Sequence, residues 1–224
     1  MRLNKKLKYL QIAFNRSMPE VHQMINLLPA SERIIIEAGT PFVKQYGQDG
    51  IASLKGWWDA KLQAGRRSYI VADLKCMDRG STEVGAAASA GASAATCLGL
   101  APIETIDEFI KKCQQSNIDS MIDMMNVEFP FEILPKLKKL PDIVVLHRGV
   151  DEGIRNREKQ LPLHLIHRIK GTYNLVISLA GGETVKEVIS SYFNDADVVV
   201  VWRPFYEEPQ ETSSLAQEFL KTIK

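Results

Sequence analysis

Asp73, Lys75 and Asp78 fall within one short run, Asp73-Leu-Lys-Cys-Met-Asp78. Residues two apart on a strand share a face, so Asp73 and Lys75 point the same way, with Tyr69 and Val71 below them. Asp78 comes three residues later, in a loop or a first helical turn. Burying such a charge pair costs several kcal/mol in desolvation, which cores rarely accept without a function. The preceding apolar run ends in Glu37, which would set a second carboxylate beside Asp73. Two carboxylates with room for water and substrate oxygens suit Mg²⁺, which takes few protein ligands and keeps several waters. Other apolar runs end in Asn15, Asp123, His147 and Ser178. A mixed acid, base and imidazole set of this kind can move protons and stabilise developing charge.

Two features suit a phosphate. Ala180-Gly181-Gly182 follows an apolar run and opens a helix-like segment, where backbone N–H groups can cradle an anion. Arg203 follows the last apolar run, and loops after the seventh and eighth strands of a barrel often bind phosphate together. A tight turn explains the glycine pair equally well. Trp57, Trp58, the Met-rich Met121–Met125 stretch, His22, His164 and His167 read as packing or surface residues.

The elements that must position these groups alternate. Strands are expected at Leu10–Phe14, Arg33–Glu37, Tyr69–Leu74, Ala92–Leu98, Ile118–Asp123, Ile143–His147, Asn174–Leu179 and Asp197–Val201. Amphipathic segments lie between them, clearest at Asp49–Gln63, Ile103–Ser116, Glu183–Tyr192 and Thr212–Ile223. Pro19 and Pro130 sit near helix starts, and Gly65, Gly91 and Gly171 where helices would end. Strict alternation implies a parallel sheet with right-handed crossovers. Eight units in 224 residues is about 28 residues each, close to a (β/α)₈ TIM barrel. No linker divides the chain, so one α/β barrel domain over residues 1–224 is expected. The polar strand ends would then meet at one mouth.

Composition narrows the class further. Lys plus Arg number 28 against 27 Asp plus Glu, which leaves no electrostatic footprint for wrapping nucleic acid. Three cysteines without a C-x-x-C pair argue against a disulfide framework or structural zinc. The charge-free run Val84–Ile103 is too rich in Ala, Gly, Ser and Thr to span a bilayer. The basic start, Met1–Lys8, leads into too short an apolar run for a signal peptide. A cytoplasmic protein without membrane or nucleic-acid partners is expected. The dinucleotide fingerprint, the Walker A loop and the G-x-S-x-G elbow are all absent from the sequence.

Leu10-Gln-Ile-Ala-Phe-Asn15, Ile36-Glu-Ala-Gly-Thr-Pro41, Ala72-Asp-Leu-Lys-Cys-Met-Asp78, Leu146-His-Arg-Gly-Val-Asp151 and Ala180-Gly-Gly182 occur in order. In this the chain resembles the 3-hexulose-6-phosphate synthases over nearly its whole length. These belong to the orotidine-monophosphate decarboxylase suprafamily, which shares D-x-K-x-x-D on its third strand. Orotidine-monophosphate decarboxylases typically carry lysine where Glu37 stands. The sister 3-keto-L-gulonate-6-phosphate decarboxylases typically carry arginine where Val150 stands. The resemblance implies an aldehyde-lyase in which Glu37 and Asp73 hold Mg²⁺ and Lys75 stabilises an enediolate of ribulose 5-phosphate. His147 would act as acid–base, and formaldehyde would be the second substrate. Asn15, Asp123, Ser178, Gly181, Gly182 and Arg203 would contact the phosphosugar. It further implies a homodimer in which Asp78 reaches the neighbouring site. A sugar-acid phosphate decarboxylase and a phosphosugar-binding homologue with reduced catalysis are the alternative readings. The family typically has aspartate at Asn15 and glycine at Trp202; Trp202 is expected to point away from the pocket, leaving Arg203 available.

Overall fold

In a computed structural model, the apolar runs form eight parallel strands that close into a barrel in sequence order. The structure describes residues 3–62, 64–156, 160–182, 184–207 and 209–223. The strands are β1 (Tyr9–Phe14), β2 (Ile34–Ala38), β3 (Ile70–Cys76), β4 (Ala94–Leu98), β5 (Asp119–Asp123), β6 (Ile143–His147), β7 (Val176–Ala180) and β8 (Val198–Val201). Helices α1 (Met18–Leu27), α2 (Thr40–Lys61), α3 (Gly80–Ser89) and α4 (Ile103–Gln115) follow the first four strands. Two short 3₁₀ turns, Pro130–Glu132 and Leu134–Lys136, replace a helix after β5. Then come α5 (Val150–Arg155), α6 (His164–Thr172), α7 (Val185–Phe193), α8 (Arg203–Glu207) and α9 (Thr212–Thr222).

Alternation along each strand splits the core in two. Leu10, Ile12 and Phe14 of β1 pack outward in the layer shared with the helices, whereas Tyr9 and Ala13 face the barrel interior. The β1–β8 pairing, Tyr9 opposite Val198 and Ile12 opposite Val201, closes the ring. Arg33, at the start of β2, donates to the carbonyls of Lys8 (3.1 Å), Leu220 (3.4 Å) and Ile223. One guanidinium thus ties β1, β2 and α9 together.

Three expectations change. The helix expected over Asp49–Gln63 begins at Thr40 with Pro41 in its first turn, and is broken at Gly47, whose φ of 54° only glycine adopts readily. Its expected end, Gln63, lies outside the described residues, as does Glu183, where another helix was expected to start. That helix, α7, starts at Val185 because Thr184 caps it, accepting from Glu187 N at 3.2 Å. Gly171 lies inside α6 rather than past its end. The charge-free run divides between α3, a turn and β4, and its neighbourhood needs small residues: a Cβ on Gly80 would meet Phe109 Cβ at 2.9 Å. Among the described residues, no helix is long and apolar enough to cross a membrane.

Candidate active site

A cavity of about 340 Å³ opens at the C-terminal ends of the strands. Of the residues expected at a site, Asn15, Glu37, Asp73, Lys75, Asp123, His147 and Gly181 line it. Asp73 and Lys75 are brought there by an irregular strand. Ala72 pairs with Ala95 and Cys76 with Cys97, so β3 uses four positions where β4 uses two. Lys75 sits in the bulge at φ 45°, a conformation costly for a non-glycine residue, and its N–H donates to Thr96 Oγ1 at 3.0 Å.

The charged groups interlock. Asp73 accepts from Thr40 Oγ1 and Thr96 Oγ1, both at 2.7 Å, and from Lys75 Nζ at 3.0–3.1 Å. Lys75 Nζ also reaches Asp123 Oδ2 at 2.9 Å, and the same oxygen lies 2.8 Å from His147 Nδ1. Burial alone would raise the Asp123 carboxyl, but His147 and Lys75 outweigh it and hold it at about 2. Burial would likewise depress the Lys75 ammonium, yet Asp73 and Asp123 push it above its ordinary value. Because Asp123 is a carboxylate, His147 Nδ1 must carry the proton between them, which leaves Nε2 as the exchanging nitrogen.

Glu37 differs. Burial first, and then the Asp73 charge, raise its carboxyl to about 7, against smaller opposing effects of Gln11, Lys75 and His147. Gln11 Nε2 donates to Glu37 Oε2 at 2.5 Å. Among the described residues no cluster of three or more His, Cys, Asp or Glu side chains is arranged to hold a metal. The donor set nevertheless fits a hard cation that keeps most of its water: two carboxylates that repel each other, with a buried, unpartnered amide oxygen on Gln11 in the same wall.

The phosphate expectations fare otherwise. Gly182 and Arg203 lie outside the cavity wall, and Trp202, expected to point away, is part of it. The indole packs 5.8 Å from the Tyr206 ring, with the Arg203 guanidinium 5.7 Å from its own centroid. Tyr206 Oη accepts from Asn15 N at 2.9 Å, so this aromatic pair also braces the end of β1. Gly181 has φ 97°, and a Cβ there would come within 2.4 Å of Arg148 O, so packing between adjacent strand ends explains the glycine without a ligand. The first turn of α7 holds its own anion: Glu187 accepts from Thr184 N (3.1 Å) and from Arg148 (3.0 Å). Ser178 is no strand-end residue, because β7 runs on to Ala180; it is wholly buried below the cavity with its Oγ unpartnered. Asp78 is exposed beyond the wall, and Cys76 Sγ donates to its carbonyl oxygen at 3.1 Å. Gln11, Thr40, Thr96 and Arg148 escaped the sequence reading. Gln11, Thr40 and Arg148 lie within the family stretches quoted above, which were their one available signal; Thr96 had none.

Residues 8–217 match the sequence model of the orotidine 5′-phosphate decarboxylase / HUMPS family. The bifunctional enzyme Fae/Hps of Methanocella arvoryzae is 35% identical over 218 residues, covering 96% of this chain and 53% of that protein. The chain therefore spans about half the length of the curated relatives it matches. The crystal structure of 3-hexulose-6-phosphate synthase from Salmonella typhimurium superposes with a TM-score of 0.81 at 25% identity, covering 96% of this chain and 99% of that one. That of 3-keto-L-gulonate-6-phosphate decarboxylase from Vibrio cholerae gives 0.76 at 19% identity, over 97% and 99%, a likeness of fold alone.

Proposed function

The chain belongs to the orotidine 5′-phosphate decarboxylase / HUMPS family, and from that membership we propose a Mg²⁺-dependent carbon–carbon lyase of the 3-hexulose-6-phosphate synthase kind. It joins formaldehyde to D-ribulose 5-phosphate or runs the reverse cleavage, as a cytoplasmic enzyme. The observation that carries this reading is Asp123 Oδ2 bridging Lys75 and His147 on the wall that also holds Glu37 and Asp73.

His147 Nε2 takes the proton from the carbon next to the substrate carbonyl, and Asp123 stabilises the imidazolium that results. Negative charge then develops on the adjoining oxygens, where the Lys75 ammonium is already held. Glu37 and Asp73 would hold Mg²⁺, whose charge, when bound, further stabilises such oxygens. The enediolate carbon attacks formaldehyde, and the new alkoxide oxygen takes up the proton held on His147 Nε2, which returns the imidazole to its starting state. Val150 lines the cavity where the sister decarboxylases typically place an arginine, which favours the aldolase reading over the decarboxylase. The resemblance implies a phosphate on the Gly181 side of the wall, beside an Arg148 guanidinium that also holds Gly181 O and Glu187.

Formaldehyde consumption with ribulose 5-phosphate and Mg²⁺ tests the proposal. Decarboxylation of 3-keto-L-gulonate 6-phosphate without formaldehyde consumption would replace it. Trp202 in the wall favours a second reading, a homologue with a changed substrate or reduced catalysis, which phosphosugar binding without turnover would support. The homodimer is part of the same proposal. Mixing inactive Asp78→Asn and Lys75→Ala chains should restore activity through mixed dimers with one intact site. No recovery after demonstrated subunit exchange places Asp78 in its own chain's site.

A further inference from the structure

Gln11 lies in the middle of β1 and is 3% exposed, yet it lines the cavity. Its amide is half used. Nε2 donates to Glu37 Oε2 at 2.5 Å, and Oε1 is buried with no hydrogen-bond partner. A buried acceptor left unpaired destabilises the fold, and an apolar side chain of the same shape avoids that cost. The neighbouring neutral side chains of the wall behave differently, since Thr40 and Thr96 both donate to Asp73. Asp73 is correspondingly occupied, with both oxygens engaged by Thr40, Thr96 and Lys75. A cation drawn to the Glu37–Asp73 pair therefore finds few uncommitted protein oxygens, and Gln11 Oε1 is one of them. An amide oxygen is also a hard donor of the kind Mg²⁺ and Mn²⁺ accept.

We propose that Gln11 is part of the divalent-cation site, its Nε2 fixing the Glu37 carboxylate and its Oε1 serving as a third protein oxygen toward the cation or the cation's water. This rests on the cation reading given above.

Mn²⁺ binding to the full chain, followed by electron paramagnetic resonance of the free ion, tests it without reference to turnover. Gln11→Leu should weaken Mn²⁺ binding at least tenfold. The melting temperature of the metal-free protein is followed alongside, since leucine removes the unpaired oxygen and the donor to Glu37 together. Should leucine prevent folding, Gln11→Met keeps the unbranched chain and carries the same comparison. Wild-type Mn²⁺ affinity in the variant overturns the inference while leaving the carboxylate site standing. So does a lowered metal-free melting temperature with unchanged Mn²⁺ affinity, which marks Gln11 as purely structural. If the unsubstituted protein binds no Mn²⁺, or Glu37→Gln binds it equally well, the cation reading fails and this inference fails with it.

Discussion

The arc of the barrel mouth from β2 to β6 and the arc from β7 to β8 are built on opposite plans. In the first, Asp73, Lys75, Asp123 and His147 spend their charges on one another inside the cavity, beside a Glu37 carboxyl that burial and Asp73 raise, and several are held away from their ordinary protonation behaviour. In the second, the polar groups at the rim are committed to structure: Glu187 to Arg148 from the end of β6, Arg203 beside Trp202, and Gly181 to a close backbone crossing. Charge buried inside a barrel mouth is costly and so points to chemistry, whereas a glycine and an arginine at the rim have cheaper explanations.

That contrast breaks if substitutions on the two arcs have similar effects. The largest effect belongs to Lys75→Ala, which strands two buried carboxylates. It should cost about 3–5 kcal/mol of stability, read by denaturant unfolding, and reduce turnover to background. Asp123→Asn comes next. With its folded carboxyl at about 2 against an ordinary 3.8, Asp123 contributes about 2 kcal/mol of stability above pH 4, lost as the pH falls through 2. The stability of wild type and variant should therefore converge in acid, and a constant gap would remove the ion network from the account. Glu37 carries the opposite sign. A carboxyl raised to about 7 destabilises the metal-free fold as pH rises from 4.5 to 7, and a cation must displace its proton below 7. Cation affinity should fall about tenfold per pH unit below 7, as titration calorimetry can follow. The smallest effect is on the other arc: Arg203→Ala, at a half-buried residue outside the cavity wall, should change phosphosugar binding by no more than about 0.5 kcal/mol. A larger loss would restore the phosphate role first expected of it.

Much of this was legible in the sequence because strand ends announce themselves. Ile143–His147 forms the strand expected of it residue for residue, since four β-branched or aliphatic residues run into one imidazole. Glu37, Asp73, Lys75, Asp123 and His147 stood out by the same rule, being the charged or titratable ends of apolar runs. Gln11, Thr40 and Thr96 did not, because a neutral polar residue inside or just after a strand carries no cost that distinguishes it from filler until its partners are seen. Gly181 could be read in two ways for a definite reason. A backbone that must come close to something reads identically whether that something is a phosphate or the carbonyl of Arg148. The side Trp202 faces depended on Tyr206 and on Asn15 N, a contact spanning 191 positions that no local pattern encodes.

The Arg33 clasp has an architectural consequence. It gathers the segment entering β1 and the segment leaving α9 at the start of β2, the rim opposite the mouth. Anything joined to the protein at either end would hang beneath the barrel, like a handle on the far side of a cup. A second catalytic module attached there could work beside this one without standing in the path of its substrate.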